Sequence, residues 1–206
     1  MGNNRDRLKS PDLPTLSFDA SPWGGGGILW KNGAPTAYTH FTWSDYTLSV
    51  VGAARGSTKG QTAFEYLTLF MVAKTFSTTL SESGALIRGD NMGALSDALK
   101  LASTTRAMNA IAREIAPRKV VRQWQYSLQH LPAEQNDEAD ALSTLEAVPR
   151  RAMPQLGNAH FTAPPEQNEM LWRARLDFSQ EAATPLFRRS RIGKRSEYPM
   201  QYHSGA

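Results

Sequence analysis

Hydrophobic and polar positions change period several times along the chain, and each change predicts an element. Thr15 to Ala20 is a short apolar run that reads as a strand with an acid, Asp19, inside it. Pro22 and Gly24 to Gly27 read as a glycine-rich turn, residues 28–31 as a second strand, and Asn32-Gly33 as a hairpin signal. Alternation over 36–43 supplies a third strand with Ala37, Thr39, Phe41 and Trp43 on one side. Residues 46–54 read as a short strand or an irregular loop, because Gly52, Gly56 and Gly60 break any helix. Thr62 reads as the N-cap of a helix over 63–77. Phe64, Leu67, Leu69, Phe70, Met71, Val72 and Phe76 cover most of its circumference, so the helix is expected to be largely buried.

A short apolar strand over 84–88 then runs into Gly89-Asp90-Asn91. A helix with Ala94, Leu95, Ala98 and Leu99 at helical spacing follows. Ser103-Thr104 is expected to cap another helix, with Ala107, Met108, Ile111, Ala112 and Ile115 as its stripe and Pro117 as its end. Residues 120–129 alternate as a half-solvated strand, and 130–136 form a loop. Asn136 is expected to cap a last helix carrying Ala139, Leu142 and Leu145.

The order predicts an α/β domain built on a mixed five-stranded sheet, three antiparallel strands followed by parallel strands, flanked by helices. Its expected extent is 15–147, after an N-terminal arm over 1–14. From 148 to 206 prolines recur and periodicity fades, and residues 188–195 form a basic cluster with no acid. This region is expected to be a basic, proline-containing, disordered tail.

Composition narrows the chemistry. The 206 residues contain no cysteine, which excludes disulfide frameworks, zinc–thiolate sites and thiol catalysis. A net charge of +4 permits a polyanionic partner without demanding one. No apolar run approaches the roughly 18 residues of a membrane span, and no secretory signal is evident at the N-terminus. The expectation is therefore an intracellular protein of the cytoplasm or nucleus, with no membrane partner.

Four acids stand out once placed on these elements. Asp19 lies in a buried-looking strand, where a lone carboxylate is costly. Glu65 is expected in the first turn of the first helix, Asp90 at the end of the next strand, and Asp140 in the first turn of the last helix. Strand C-termini and helix N-termini gather at one end of such a sheet. Carboxylates collected there need cations. Oxygen-only ligands select hard ions, Mg²⁺ or Mn²⁺, and two ions roughly 4 Å apart suit phosphodiester hydrolysis.

The ordered set resembles ribonuclease H of type 1, and especially the RNase H domain that follows reverse transcriptase in retroelements. The matching pieces are Phe18-Asp19-Ala20-Ser21, Glu65, Arg88-Gly89-Asp90-Asn91, and His130-Leu131-Pro132-x-x-x-Asn136-x-x-Ala139-Asp140-x-Leu142-Ser143. The resemblance implies an RNase H-like fold in which Asp19, Glu65, Asp90 and Asp140 hold two Mg²⁺ ions, with Mn²⁺ as a substitute. It also implies that His130 aids proton transfer or product release, and that Ser21, Asn91 and Asn136 contact substrate. The implied substrate is an RNA–DNA hybrid cut in its RNA strand, and the implied protein partner is a reverse transcriptase polymerase domain. Ala133 stands where retroelement forms commonly have Gly, and no basic substrate-handle helix is visible. The rival expectations are a catalytically inactive RNase H-like module that binds nucleic acid or a polymerase, and a DNA-cleaving relative of the same superfamily.

Overall fold

The computed structural model describes residues 12–103, 105–147 and 149–167. Six strands form one sheet: β1 (Thr15–Ala20), β2 (Gly24–Lys31), β3 (Ala34–Thr42), β4 (Ala85–Gly89), β5 (Tyr126–His130) and β6 (His160–Phe161). Their spatial order is β5-β4-β1-β2-β3-β6. The β1–β2 and β2–β3 pairs are antiparallel, whereas β4 pairs parallel with β1 and β5 parallel with β4. This is the expected mixed sheet, three antiparallel strands followed by parallel ones, with the short β6 added parallel to β3.

The helices are α1 (Asp45–Val51), α2 (Gln61–Thr75), α3 (Ser77–Glu82), α4 (Met92–Lys100), α5 (Arg106–Val121) and α6 (Asp137–Ser143). From Ala63 to Ala73 every residue of α2 is buried, as its all-round apolar surface requires. It packs on β1 and β2 and carries the main core with α4 and α5. Each fully buried large apolar side chain there contributes about 1.5–3 kcal/mol. The other face of β1 and β2 is covered by α6, where Ile28, Leu142, Leu145 and Leu156 form a second, smaller cluster.

The glycine run is strand, not turn. The chain reverses over Ser21–Trp23, closed by Ser21 N–H donating to the Gly24 carbonyl (2.9 Å), and all four glycines pair with β1 or β3. At Gly25, Gly26 and Gly27 a Cβ would strike a helix packed on the sheet, and at Gly24 it would strike the Phe41 carbonyl of the neighbouring β3. A Cβ on Gly26 would stand 2.3 Å from Leu142 Cβ of α6, and one on Gly27 would stand 2.4 Å from Val72 Cγ2 of α2. Close approach, not backbone turning, explains the composition.

Other expectations are corrected by capping and packing. Residues 45–51 form a helix: Ser44 accepts the Thr47 N–H, and Gly52 closes the end in the left-handed region. Helix α2 starts at Gln61 after Gly60, so Thr62 lies inside it and Glu65 in its second turn. The helix stops at Thr75, and Ser77 begins α3. Leu99 is exposed despite its spacing. The cap of α5 is Thr105, which accepts from Met108 N–H. Pro117 lies within α5 rather than ending it. The turn beyond is held by Arg122 N–H on the Arg118 carbonyl and by Arg118 on the carboxylate and carbonyl of the buried Glu114. The fifth strand consequently begins only at Tyr126.

The expected boundary at 147 does not mark the end of packed chain. Leu156 is buried in the smaller cluster, and His160–Phe161 pairs with β3. Gln167 donates to the Thr42 carbonyl (2.5 Å) and accepts from Ser44 N–H and the Thr47 hydroxyl. The remaining tail, with the basic cluster 188–195, and the arm through residue 11 lie outside the described residues.

Candidate metal centre

The sheet brings three of the four acids together. Asp19 is the penultimate residue of β1, Asp90 follows β4, and Glu65 comes from α2. One carboxylate oxygen from each lies within 4.8 Å of the others, a grouping able to hold a metal ion. Asp19 and Glu65 are buried (6% and 2% exposed) and Asp90 is half-buried. No ion pair among the described residues neutralises any of the three.

Asp19 is held from the α6 side. Ser143 Oγ donates to its Oδ2 (2.9 Å), and Asn136 Nδ2 approaches Oδ1 (3.5 Å) while donating to the Phe18 carbonyl (3.0 Å). Burial, the nearby Asp90 and the charge of Asp140 push its carboxyl up to about 7, against the lowering effects of the Ser143 bond and Arg151. Glu65 is pushed well above the carboxylate range by burial and by Asp19 and Asp90, opposed by bonds from Gln61 and the Ala20 backbone. Gln61 Nε2 donates both to Glu65 Oε1 (3.1 Å) and to the Ala20 carbonyl. Glu65 Oε2 is buried without a hydrogen-bond partner among the described residues. A buried carboxylate oxygen left without a partner, on a residue grouped with two other carboxylates, is what a hard cation would satisfy.

Asp140 lies outside this group. It sits at the start of α6, and its Oδ2 receives Arg151 Nη1. His130 ends β5 at the exposed rim and donates its Nε2–H to the Asp90 carbonyl (3.1 Å), which assigns the ring proton to that nitrogen. Asn91 accepts from Ala94 N–H (3.0 Å) and so caps α4 beside Asp90. Ser21 is buried in the β1–β2 turn, its hydroxyl donating to the Ser143 carbonyl (2.6 Å) and accepting from the turn amides. Asn136 occupies the N-cap position of α6, but its side chain makes no cap bond. It reaches instead to β1, which corrects the expected capping role.

Sequence reasoning assigned no role to Gln61, Ser143 or Arg151. The first two had signals: Gln61 lies one helical turn before Glu65, and Ser143 stands inside the final motif. Arg151 had none, since it falls in a segment without periodicity.

No protein-family model matches the chain, and no curated protein matches it. Among solved structures it is similar to RNase H1 from the halophilic archaeon Halobacterium salinarum NRC-1, at 20% identity over 63% of this chain and 92% of that one (TM-score 0.47). It is also similar to LC11-RNase H1 isolated from compost by a metagenomic approach, at 16% identity over 64% and 92% (TM-score 0.47). A structure of LC11-RNase H1 in complex with an RNA/DNA hybrid matches at 14% identity over 63% and 92% (TM-score 0.45).

Proposed function

We propose that this chain is a metal-dependent endoribonuclease acting on the RNA strand of RNA–DNA hybrids. The observation that supports it most is the unpartnered Glu65 Oε2 among three carboxylates within 4.8 Å of one another. Asp19, Glu65 and Asp90 would hold the cation, and their all-oxygen set favours Mg²⁺ or Mn²⁺ over Zn²⁺. The cation supplies charge neutralisation and polarisation of water and phosphate. Gln61 and Ser143 orient Glu65 and Asp19. His130, at the rim with Nε2–H donating to the Asp90 carbonyl, is the residue proposed to move a proton once that bond opens. Asn91, beside Asp90, is the proposed substrate contact, whereas Asn136 is buried and braces β1. Ser21, whose hydroxyl is already engaged, supports the turn. Selectivity for RNA would come from 2′-hydroxyls and groove shape. An origin beside a retroelement reverse transcriptase rests on the block from His130 to Ser143.

The test is cleavage of a labelled RNA–DNA hybrid with Mg²⁺, with Mn²⁺ and with chelator, beside Asp90→Asn. RNA-strand cutting that needs metal and disappears in the variant is the expected result. Full activity in Asp90→Asn would overturn the assignment. The second reading, a hybrid-binding module that does not cut, is favoured by one observation, the engagement of Asp140 by Arg151. Hybrid binding without cutting at any metal concentration would select it.

A further inference from the structure

Among the described residues, Asp19, Glu65 and Asp90 have no cationic partner in an ion pair, and Asp140 has one. Arg151 Nη1 meets Asp140 Oδ2, both side chains remaining about half exposed. Arg151 is not delivered by a loose tail. Just before it, Arg150 Nε donates to the Leu145 carbonyl (2.6 Å) and Arg150 Nη2 pairs with Glu146 (2.9 Å). Just after it, Leu156 is buried against Ile28, Leu142 and Leu145. Farther on, Thr162 N–H donates to the Tyr38 carbonyl (2.8 Å), and Gln167 clamps the end of β3. The segment is thus anchored on both sides of Arg151. A guanidinium keeps its charge at every working pH, so an incoming cation always meets a charged Arg151 beside Asp140. The charges of Asp140 and Arg151 both reach Asp19, in opposite senses.

We propose that Arg151 competes with a second divalent cation for Asp140. One ion enters at Asp19, Glu65 and Asp90 without disturbing it, and a second must displace the guanidinium. Arg151 is then a positioning residue that sets the metal concentration at which the fourth carboxylate becomes available. The inference rests on the metal-site reading above and deepens it.

The experiment is calorimetric titration of the full 206-residue chain with Mg²⁺, repeated with Mn²⁺ counted by electron paramagnetic resonance. The wild type is expected to show a tight and a weak class. In Arg151→Gln the weak class tightens about two- to fivefold, the range set by a half-exposed pair, while the tight class stays put. A second class seen only in Arg151→Gln supports the proposal equally. Arg151→Lys, a point charge without the guanidinium fork, falls between the two and decides the matter should Arg151→Gln not fold. Lys31→Gln removes the same charge at an exposed site and is expected to match the wild type. An unchanged weak class in Arg151→Gln, a single ion in both proteins, or an equal shift in Lys31→Gln overturns the proposal. Absence of any binding in the wild type, or binding untouched by Asp19→Asn, would instead overturn the metal-site reading, and this inference with it.

Discussion

The hydroxyl of Ser143 donates to Oδ2 of Asp19 across 2.9 Å, joining α6 to the end of β1. Asp19 and Asp140 are far apart in sequence and sit on different elements, so this bond helps set their spacing. The same hydroxyl also contacts the Asp140 carbonyl (2.9 Å), inside the helix. Ser143→Ala is expected to cost about 1 kcal/mol of stability and to raise the Asp19 carboxyl further, because a bond favouring its charged form is lost. Carbon-detected NMR titration of the carboxyl and urea unfolding would check both. A titration midpoint that falls would contradict this role.

The acidic cluster makes metal-free stability depend on pH in an unusual direction. Asp19 titrates at about 7 in the folded chain and at about 4 when unfolded. Below about 4 it is neutral in both states. Between these values only the unfolded chain ionises, so stability falls by up to about 1.4 kcal/mol per pH unit and the loss is complete above about 7. Glu65 acts in the same direction. In chelator, the urea midpoint is expected to drop from pH 5 to pH 8 more in the wild type than in Asp19→Asn. Saturating Mg²⁺ at pH 8 should restore it.

Asp90 raises the carboxyls of both Asp19 and Glu65 by its charge. Asp90→Asn should therefore stabilise the metal-free fold at pH 8, by about 1–2 kcal/mol, while removing a cation ligand. Thermal unfolding in chelator, set beside metal titration, tests this opposition. A variant both less stable and unimpaired in metal binding would refute it.

Gly26 lets α6 lie against β2. Gly26→Ala would drive its Cβ into Leu142 Cβ at 2.3 Å and toward the α6 backbone at 3.0 Å. The expected loss is about 1–3 kcal/mol, together with weaker metal binding as Ser143 and Asn136 shift. Gly33→Ala meets no atom within 4 Å, although its φ of +75° strains any side chain. It should cost only about 1 kcal/mol and leave metal binding unchanged.

Leu156 tests whether the segment after α6 belongs to the domain. It is 5% exposed in the cluster with Ile28, Leu142 and Leu145. Leu156→Ala should lower stability by about 2–4 kcal/mol, measured by urea unfolding. A change within a few tenths of a kcal/mol would mean that this segment adds nothing to the fold.

Much of the architecture was legible in residue pattern. The strand with Asp19, the meander, the all-round apolar helix and the parallel second half follow from periods of two and of 3.6 and from the punctuation between them. Where reading failed, the deciding force came from another element. Glycines that read locally as a turn are strand residues because they pair with β1 and β3, and they are glycines because α2, α6 and β3 approach too closely for a Cβ. Pro117 is carried inside α5 by bonds on either side of it. Asn136 has the residue type and place of a helix cap, yet its amide is drawn to β1.

The site divides in the same way. Asp19 could be named from sequence because a carboxylate in a buried strand is locally anomalous, and Glu65, Asp90 and Asp140 because strand ends and helix starts gather at one end of such a sheet. Their separation is a property of the sheet, since β1 and β4 are neighbours only through a crossover connection. The partners that shape their charge lie outside any local pattern. Ser143 acts 124 positions from Asp19, and Arg151 reaches Asp140 from a segment without periodicity. Composition and spacing determine which groups carry charge. Only the packing of strands against helices decides which charges meet, which oxygen is left without a partner, and which carboxylate is already engaged.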